Sequence, residues 1–415
     1  MKILIISCPT GNGHNSTAKR LKEKFLQEKP DTQIEIVDMY KAYAPKITAW
    51  AMETGYFMAC NHIVGIYNHF FKKSEKNTYE NRYKTKANKE TYSMLNGLMK
   101  KIYDFKPDLI ICTYVFTAVA VNNLKRVYDI PAKVACMTLD YGVSPYWECT
   151  SDYLDYMFLT NEEMIEPFKE RGFTDEQLRI AGVPISDQFT NLMDKQQARK
   201  LLGLKEDLFT VIIMKSGFFQ ISEKNIVKNL SKVKKPIQVI IVNGKSEKSR
   251  KKIDKILKHT KMPHNILNIG FTNQIPEYFA ASDIVLGKAG GLTVTETITA
   301  GLPALIVNKL PQQEIYNKEY CIKHKCALAA DKNTIADKIN YLLDNPDKYQ
   351  ELRENNLKTR RLGAIEKFYE VLKDVPVADY SNIPEFKDTK HQTIKKVNKA
   401  RKLAIKNQQL ERKSK

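Results

Sequence analysis

Short apolar runs recur along the chain, and longer stretches of mixed character separate them. In the first half the runs carry Ile, Val and Leu at successive positions, as expected for strands buried on both faces of a sheet. The strands predicted there are 2–7, 33–38, 109–112, 133–139 and 156–159, with a shorter run at 178–181. Stretches between them, such as 15–28, have helical character. This alternation predicts a doubly wound parallel α/β sheet.

A second series of the same kind follows the junction Gly182-Val183-Pro184. Its predicted strands are 209–214, 237–242, 266–270, 284–286, 304–307 and 327–329. We therefore predict two Rossmann-like domains, 1–185 and 186–374, with the last helix packing back on the first domain. Residues 375–415 are rich in Lys and Arg and poor in apolar residues, so they are predicted to be a flexible basic tail.

Two glycine-bearing turns lie at corresponding places in the two halves. Gly11-Asn12-Gly13-His14 follows the first strand, and Gly290-Gly291 follows the strand at 284–286. Each pattern predicts a strand, a tight turn and a helix, which directs free N–H groups of the helix start toward an anion. One such turn in each half predicts substrates held between the halves.

The net charge and the cysteine content limit which binding partners and which cellular compartment fit the sequence. A formal net charge of +20 requires an anionic partner, which nucleic acid, an acidic membrane surface or a phosphorylated metabolite can satisfy. The seven cysteines include no CxxC pair, which fits a reducing cytosol. No apolar stretch is long enough for a secretory signal or a membrane span. The basic tail fits an electrostatic tether to acidic lipid.

The second glycine turn is followed by residues suited to a nucleotide sugar. Glycine at positions 290 and 291 allows close approach of a phosphate, and Thr293 adds a hydroxyl donor. Glu296 either accepts hydrogen bonds from ribose hydroxyls or caps the helix through Thr293. The next strand leads to Gln313, Glu314 and Asn317, whose side chains suit sugar hydroxyls.

In order and spacing, 270–317 resembles the donor-binding half of family 28 glycosyltransferases of the GT-B architecture. Within that family it is similar to bacterial processive diacylglycerol glucosyltransferases and plant monogalactosyldiacylglycerol synthases. The segment 283–293 and the Gln313-Glu314…Asn317 loop carry the match, and Ser7…Gly11-Asn12-Gly13-His14…Ala18 matches the first turn. The resemblance extends, more weakly, from the start of the chain to about residue 330.

The resemblance implies a donor of the UDP-sugar type and assigns residues to its parts. It places the uracil near Gly270 and Phe271 and the ribose on Glu296, and Thr272 is a further predicted donor contact. It places the sugar on Gln313 and Glu314, near Asn317, and the pyrophosphate on Gly290, Gly291, Leu292 and Thr293. Ser216 and Gly217, in the loop after 209–214, are further predicted donor contacts, with Lys215 as a candidate positive charge.

His14 is the predicted general base, because its reference pKa lies near 6.5 and similar enzymes have a histidine beside the acceptor here. It could instead place a lipid phosphate at the helix start. Asp140, after a predicted strand, is the rival base. Gly11, Gly13 and Trp147 complete the predicted acceptor side.

The segment 40–71 is rich in aromatic residues and is flanked by lysines. Trp50, Tyr56 and Phe57 are among its candidate membrane contacts, because such segments suit a helix lying in a bilayer interface. The alternative is a helix that covers the first sheet.

Together these features predict an inverting glycosyltransferase that moves a hexose, glucose favoured over galactose, from a UDP-sugar to diacylglycerol or a related lipid. No acidic metal motif is evident, so no metal cofactor is expected. The predicted location is the cytoplasmic face of the cell membrane, on an anionic surface, with no nucleic acid partner.

Three alternative functions remain open. The first is transfer of the sugar to another lipid-linked acceptor, such as a polyprenyl-linked sugar. The second is a UDP-sugar epimerase or hydrolase, and the third is a charge-driven membrane or nucleic-acid binder. A dinucleotide dehydrogenase is the weakest alternative, since Ser16 stands where the third glycine of GxGxxG would fall.

Overall fold

The computed structural model describes residues 1–9, 13–55, 63–76, 78–215, 221–307 and 310–413, without the side chains of 53, 55 and 411–413. Two compact units make up the chain. Unit 1 comprises Met1–Tyr56, Asn68–Pro184 and Gly363–Lys415, and unit 2 comprises Phe57–Tyr67 and Ile185–Leu362.

Unit 1 contains a six-stranded parallel sheet in the order β2-β1-β3-β4-β5-β6. Ile3, Leu4, Ile5 and Ile6 have no exposed surface, as their unbroken apolar run predicts for a central strand. The strands are β1 Lys2–Ser7, β2 Gln33–Asp38, β3 Leu109–Cys112, β4 Lys133–Met137, β5 Tyr156–Leu159 and β6 Leu178–Ile180.

The helices that flank this sheet and precede the junction are mostly short. They are α1 Gly13–Glu28, α2 Met39–Tyr43, α3 Lys46–Trp50, α4 Val64–Ser74, α5 Ala87–Glu90, α6 Leu95–Phe105, α7 Val115–Lys125 and α8 Ile165–Lys169. The division between the units passes through α4, between Tyr67 and Asn68. A π-helical turn, Ala51–Gly55, and 3₁₀ turns at Tyr79–Asn81, Trp147–Cys149 and Glu162–Met164 complete this part.

Unit 2 contains a second parallel sheet in the order β12-β11-β10-β7-β8-β9. Its strands are β7 Thr210–Met214, β8 Gln238–Val242, β9 Asn265–Ile269, β10 Ile284–Gly287, β11 Ala304–Val307 and β12 Ala327–Ala330. Its helices, after a 3₁₀ turn at Asp187–Phe189, are α9 Lys195–Leu201, α10 Glu223–Leu230, α11 Glu247–Lys258, α12 Ile275–Ala281, α13 Gly291–Thr299, α14 Gln312–Lys323, α15 Ile335–Asp344 and α16 Pro346–Thr359. The prediction of two doubly wound parallel sheets is therefore confirmed.

The strand orders fix where ligands can bind in each unit. Open α/β sheets bind ligands beyond the carboxyl ends of the strands at which the order reverses. In unit 1 the reversal falls between β1 and β3, and in unit 2 between β7 and β10. Gly13 and His14 begin the helix that comes after β1, and the second glycine turn follows β10, so these residues lie at the two reversal points.

The last part of the chain differs from the flexible tail that the sequence predicts. Helix α17, Ala364–Leu372, belongs to unit 1, where Phe368 stacks on Phe158 with ring centroids 3.9 Å apart. The following segment runs along unit 1, and the hydroxyl of Tyr380 donates to the carbonyl of Pro107 at 2.9 Å. It ends in a long helix, α18 Lys390–Lys413.

Helix α18 docks through one face. Thr393 and Val397 are fully buried, and Arg401, at the next position of the same face, donates to the carbonyl of Tyr83 at 2.8 Å. Composition averaged over the segment hides this spacing of four residues, which is why the prediction of a flexible tail was wrong. The outer face stays exposed and carries Lys395, Lys399, Lys402 and Lys406. Within the described ranges, no helix combines the length and apolarity needed to cross a bilayer.

Candidate active site

The turn between β10 and α13 presents backbone donors at the carboxyl edge of the unit 2 sheet. Gly290 is the N-terminal cap of α13, and no side chain caps this helix. The hydrogen bond from Val294 N–H to the Gly290 carbonyl, at 2.8 Å, closes the first turn. The N–H groups of Gly291, Leu292 and Thr293 precede that bond and so have no acceptor within the helix. They form, with the positive end of the helix dipole, a site for an anion.

The capping-box alternative for Glu296 does not agree with this geometry. A capping box requires Thr293 to be the cap, but Thr293 is the third residue of α13. Thr293 and Glu296 are instead three residues apart on one helix, a spacing that places both on the same face. Both are partly exposed. Their positions are compatible with the predicted hydroxyl and ribose roles.

Helix α14 joins the glycine turn through buried polar contacts. The side chain of Asn317, which is fully buried, donates from Nδ2 to the carbonyl of Ala289 at 2.9 Å. Glu314 forms an ion pair through Oε1 with Lys288, and a Cβ at Gly290 would lie 3.0 Å from Lys288 Nζ. Glycine at 290 therefore leaves room for the lysine, which places a positive charge beside the free N–H groups.

Two buried acceptors in α14 have no donor among the described residues. They are Oε2 of Glu314 and Oε1 of Gln312. Burying an oxygen without a donor is costly, so such atoms in a native site indicate a ligand group or a water. Gln313 lies between them and accepts a hydrogen bond from the Tyr67 hydroxyl at 3.0 Å. The start of α14 therefore offers acceptors suited to sugar hydroxyls.

The residues predicted to hold the uracil lie at the end of β9. Phe271 is 64% exposed, and Lys245 Nζ lies 5.9 Å from the centroid of its ring. Thr272 Oγ1 accepts from Gln274 N–H at 3.0 Å, so it shapes the local turn. Gly270 approaches the carbonyl of Gly244 at the end of β8. These residues share the carboxyl edge with β10 but lie at the outer strand of the sheet.

Lys215, the candidate positive charge, is held by its neighbours. Its Nζ lies 2.6 Å from both Glu223 Oε1 and Ser249 Oγ. Burial favours a neutral Glu223, but hydrogen bonds from Lys215 and Lys252 outweigh it and lower the pKa of Glu223 to about 2. Lys215 is thus held in an ion pair, as Lys288 is by Glu314, but Lys288 lies beside the glycine turn and was not among the predicted contacts. The predicted contacts Ser216 and Gly217 lie outside the described residues.

In unit 1, His14 occupies the first turn of α1, directly after Gly13. Its Nδ1 lies 2.5 Å from the carbonyl of Thr113, which follows β3. A carbonyl only accepts, so the proton is on Nδ1 and Nε2 keeps its lone pair. Burial lowers the pKa of His14 to about 4, although the Thr113 carbonyl acts in the opposite direction. The ring is neutral at pH 7 and is available as a base at the reversal point of the sheet.

The other residues predicted on the acceptor side differ in position and in exposure. Asp140 lies in the loop after β4, partly buried, where its carbonyl accepts from Thr160 Oγ1 at 2.8 Å. Trp50, at the end of α3, is 58% exposed. Trp147 is 4% exposed and packs against Phe168 with centroids 5.8 Å apart, so the structure corrects its assignment to acceptor or membrane contact. Gly11, Tyr56 and Phe57 lie outside the described residues.

Comparison with known proteins agrees with this picture. Residues 14–185 match the family model described as monogalactosyldiacylglycerol (MGDG) synthase, and residues 194–359 match the model described as glycosyl transferases group 1. A Staphylococcus saprophyticus protein named processive diacylglycerol beta-glucosyltransferase is 26% identical over 322 residues, which cover 77% of this chain and 78% of the relative.

Solved structures show the same fold at low sequence identity. MurG from Acinetobacter baumannii has a TM-score of 0.61 and 13% identity, covering 90% of this chain and 99% of its own. The UDP-GlcNAc 2-epimerase of Neisseria meningitidis, solved with UDP-GlcNAc bound, has a TM-score of 0.58 and 14% identity, covering 90% and 100%.

The chain has the two-sheet fold of the solved GT-B glycosyltransferases that it matches, and its two parts match transferase family models. More particularly, its first part is similar to the MGDG synthase family and its second part to the group 1 glycosyl transferases. The predicted resemblance to processive diacylglycerol glucosyltransferases and monogalactosyldiacylglycerol synthases is confirmed.

The state of His14 can be tested by titration. We expect the His14 imidazole to titrate near pH 4, well below the free value of about 6.5. Between these values the unfolded chain binds a proton that the folded chain does not, so His14 makes the fold more stable as the pH rises through this window. Histidine-selective NMR, assigned with His14→Asn, measures the pKa directly. Titration near pH 6.5 would contradict the neutral ring.

Proposed function

We propose that this protein transfers a hexose, glucose in preference to galactose, from a UDP-sugar to the hydroxyl of diacylglycerol, with inversion to a β-linked glycolipid. The observation that supports this most is the uncapped start of α13 with Lys288 beside it, because it offers the N–H donors and positive charge that a departing diphosphate requires. Diacylglycerol is proposed as the acceptor because the relatives are named diacylglycerol beta-glucosyltransferases.

The donor would lie along the carboxyl edge of unit 2. Its diphosphate is proposed to accept hydrogen bonds from the N–H groups of 291–293, with the ribose on Glu296 and the sugar on Gln313 and Glu314. The unmatched Oε2 of Glu314 would then gain a sugar hydroxyl as its donor. The uracil is proposed to contact Gly270 and Phe271. Because helix N–H groups and a lysine can stabilise the leaving diphosphate, we propose that the reaction needs no metal ion.

The chemistry requires one base on the acceptor side. We propose that Nε2 of His14 takes the proton of the acceptor hydroxyl while that oxygen bonds to the anomeric carbon. The bond from that carbon to the phosphate oxygen breaks, and its electron pair leaves with UDP. A pKa of about 4 makes His14 a weak base in the resting state, so proton transfer is expected to accompany bond formation rather than precede it. Asp140 is the alternative base.

We further propose that the protein works at the cytoplasmic face of the membrane. Exposed apolar side chains occur in α3, in α4 and just before α4: Ile47, Trp50, Ile63, Ile66 and Phe70 are each at least half exposed. In α4, Ile66 and Phe70 are four residues apart on one face, and Lys72 and Lys73 follow them. This pattern suits a helix whose apolar face enters a bilayer interface.

The proposed transfer is tested by incubating the purified protein with UDP-glucose or UDP-galactose and diacylglycerol vesicles, with and without EDTA. We expect a β-hexosyl diacylglycerol, detected by lipid mass spectrometry, with UDP released and no loss of activity in EDTA. Longer glycans on the same lipid would show processive transfer.

We expect His14→Ala to reduce turnover by about a hundredfold or more while UDP binding is retained. The control is His259→Ala, which replaces an exposed histidine of unit 2 and should change neither turnover nor UDP binding.

Other products would reject the proposal in identifiable ways. Consumption of the UDP-sugar without a lipid product would indicate a hydrolase, and a changed sugar configuration would indicate an epimerase. Product formed only with a polyprenyl-linked sugar would move the acceptor to another lipid class.

The outer face of α18 is proposed to bind anionic lipid. Replacing Lys395, Lys399 and Lys402 by Gln removes three exposed charges without disturbing the buried face of the helix. At about 1 kcal/mol per basic residue near such a surface, affinity for phosphatidylglycerol vesicles should fall about a hundredfold at low salt. The control replaces Lys248, Lys251 and Lys255 of α11, which are also exposed on one helix. Equal losses in the two triple variants, or no loss in the first, would remove the role of α18.

A further inference from the structure

The backbone of Tyr146 is in the left-handed conformation, although no helix ends at this residue. Its φ is +82°, one of three positive values recorded for non-glycine residues in the described part of the chain. The other two, Lys106 and Lys325, follow the ends of α6 and α14, where left-handed residues are common. Tyr146 instead precedes the 3₁₀ turn Trp147–Cys149. A bulky residue held at positive φ is strained, and such strain concentrates at functional sites.

Contacts at both ends of its side chain hold Tyr146 in place. Its hydroxyl lies 2.6 Å from Ser74 Oγ, which in turn donates to the carbonyl of Phe70 in the last turn of α4. Its ring lies 5.5 Å from that of Phe116, centroid to centroid. Tyr146, in the loop after β4, thus connects the end of α4 to the start of α7.

Phe116 is the middle of a continuous row of rings that ends at His14. The centroid of Phe116 is 5.6 Å from that of Tyr114, and Tyr114 is 5.0 Å from the imidazole of His14. We call His14, Tyr114, Phe116 and Tyr146 the aromatic row. All four are partly exposed, and they lie beyond the carboxyl ends of β1, β3 and β4. The interplanar angles, 62°, 48° and 44°, mean that the rings are not stacked on one another.

From this geometry we infer that the aromatic row binds the acyl chains and glyceride of the lipid acceptor, guiding its hydroxyl to Nε2 of His14. The inference rests on the proposed function. Phe116 has no polar atom, and the hydroxyl of Tyr146 is engaged with Ser74, so the middle of the row offers apolar surface. One end is the proposed base, and the other reaches the helix that carries the exposed Ile66 and Phe70. A lipid entering beside the end of α4 would meet Tyr146 first and then Phe116 and Tyr114 before it reaches His14.

A photoreactive acceptor tests this placement without relying on turnover. The probe is a diacylglycerol with a diazirine in one acyl chain, irradiated with the full-length protein and UDP in mixed micelles. We expect the labelled peptides to contain residues 114–116 and 146. Labelling confined to other segments would overturn the inference, even if the protein glycosylates diacylglycerol normally.

Kinetics with Phe116→Ala supply the second test. We expect the KM for dioleoylglycerol to rise about tenfold, the KM for dioctanoylglycerol to rise less, and the KM for the UDP-sugar to stay unchanged. The control is Phe105→Ala, another partly exposed aromatic of unit 1, which is the last residue of α6 before the amino end of β3 and contacts Lys2 and Lys101. If Phe116→Ala proves unstable, Phe116→Leu keeps the apolar volume and should show a smaller effect of the same kind.

The outcomes separate the two claims. No glycolipid from the wild-type protein would reject the proposed function. Normal wild-type activity, with Phe116→Ala raising the KM for both lipids equally or for neither, would reject the aromatic row as an acyl-chain site.

Discussion

The uncapped start of α13 is the constraint on which the rest of unit 2 depends. Three N–H groups after β10 have no acceptor within the helix and no capping side chain among the described residues, because Gly290 caps the helix with its backbone alone. The surrounding residues preserve this arrangement. Asn317 fixes the turn through the carbonyl of Ala289, and Glu314 orients Lys288 beside it. The order of the strands places the turn at the reversal point between β7 and β10, where an open sheet accommodates a ligand.

In unit 1 the candidate residues also lie at the reversal point of the sheet, but their chemistry differs. The reversal between β1 and β3 brings the start of α1 beside Thr113, and the carbonyl of Thr113 fixes the tautomer of His14. The histidine therefore presents a lone pair, and the aromatic side chains after β3 and β4 give its surroundings an apolar character. In the proposed reaction a diphosphate needs donors and positive charge, whereas a lipid hydroxyl needs a neutral base in an apolar site, and we assign these two roles to different units.

The sheets could be predicted from the sequence because central parallel strands are apolar on both faces, as 3–6 and 284–286 show. The glycine turns were predictable for the same reason, since each directly follows such a strand. Lys288, whose partner Glu314 is 26 positions away, and the aromatic row depend on contacts between separate loops, which no local pattern records. The docking of α18 was missed because only three positions, 393, 397 and 401, form its buried face. Trp147 was misassigned because an aromatic residue that follows a strand can pack in the hydrophobic core as readily as it can line a binding site.

Amide NMR with selectively ¹⁵N-labelled Gly, Leu and Thr tests the central claim most directly. The account predicts that UDP shifts the N–H signals of Gly291, Leu292 and Thr293 in a saturable manner, whereas uridine, which lacks phosphate, leaves them nearly unchanged. Saturable UDP binding that leaves these three signals unmoved would contradict it.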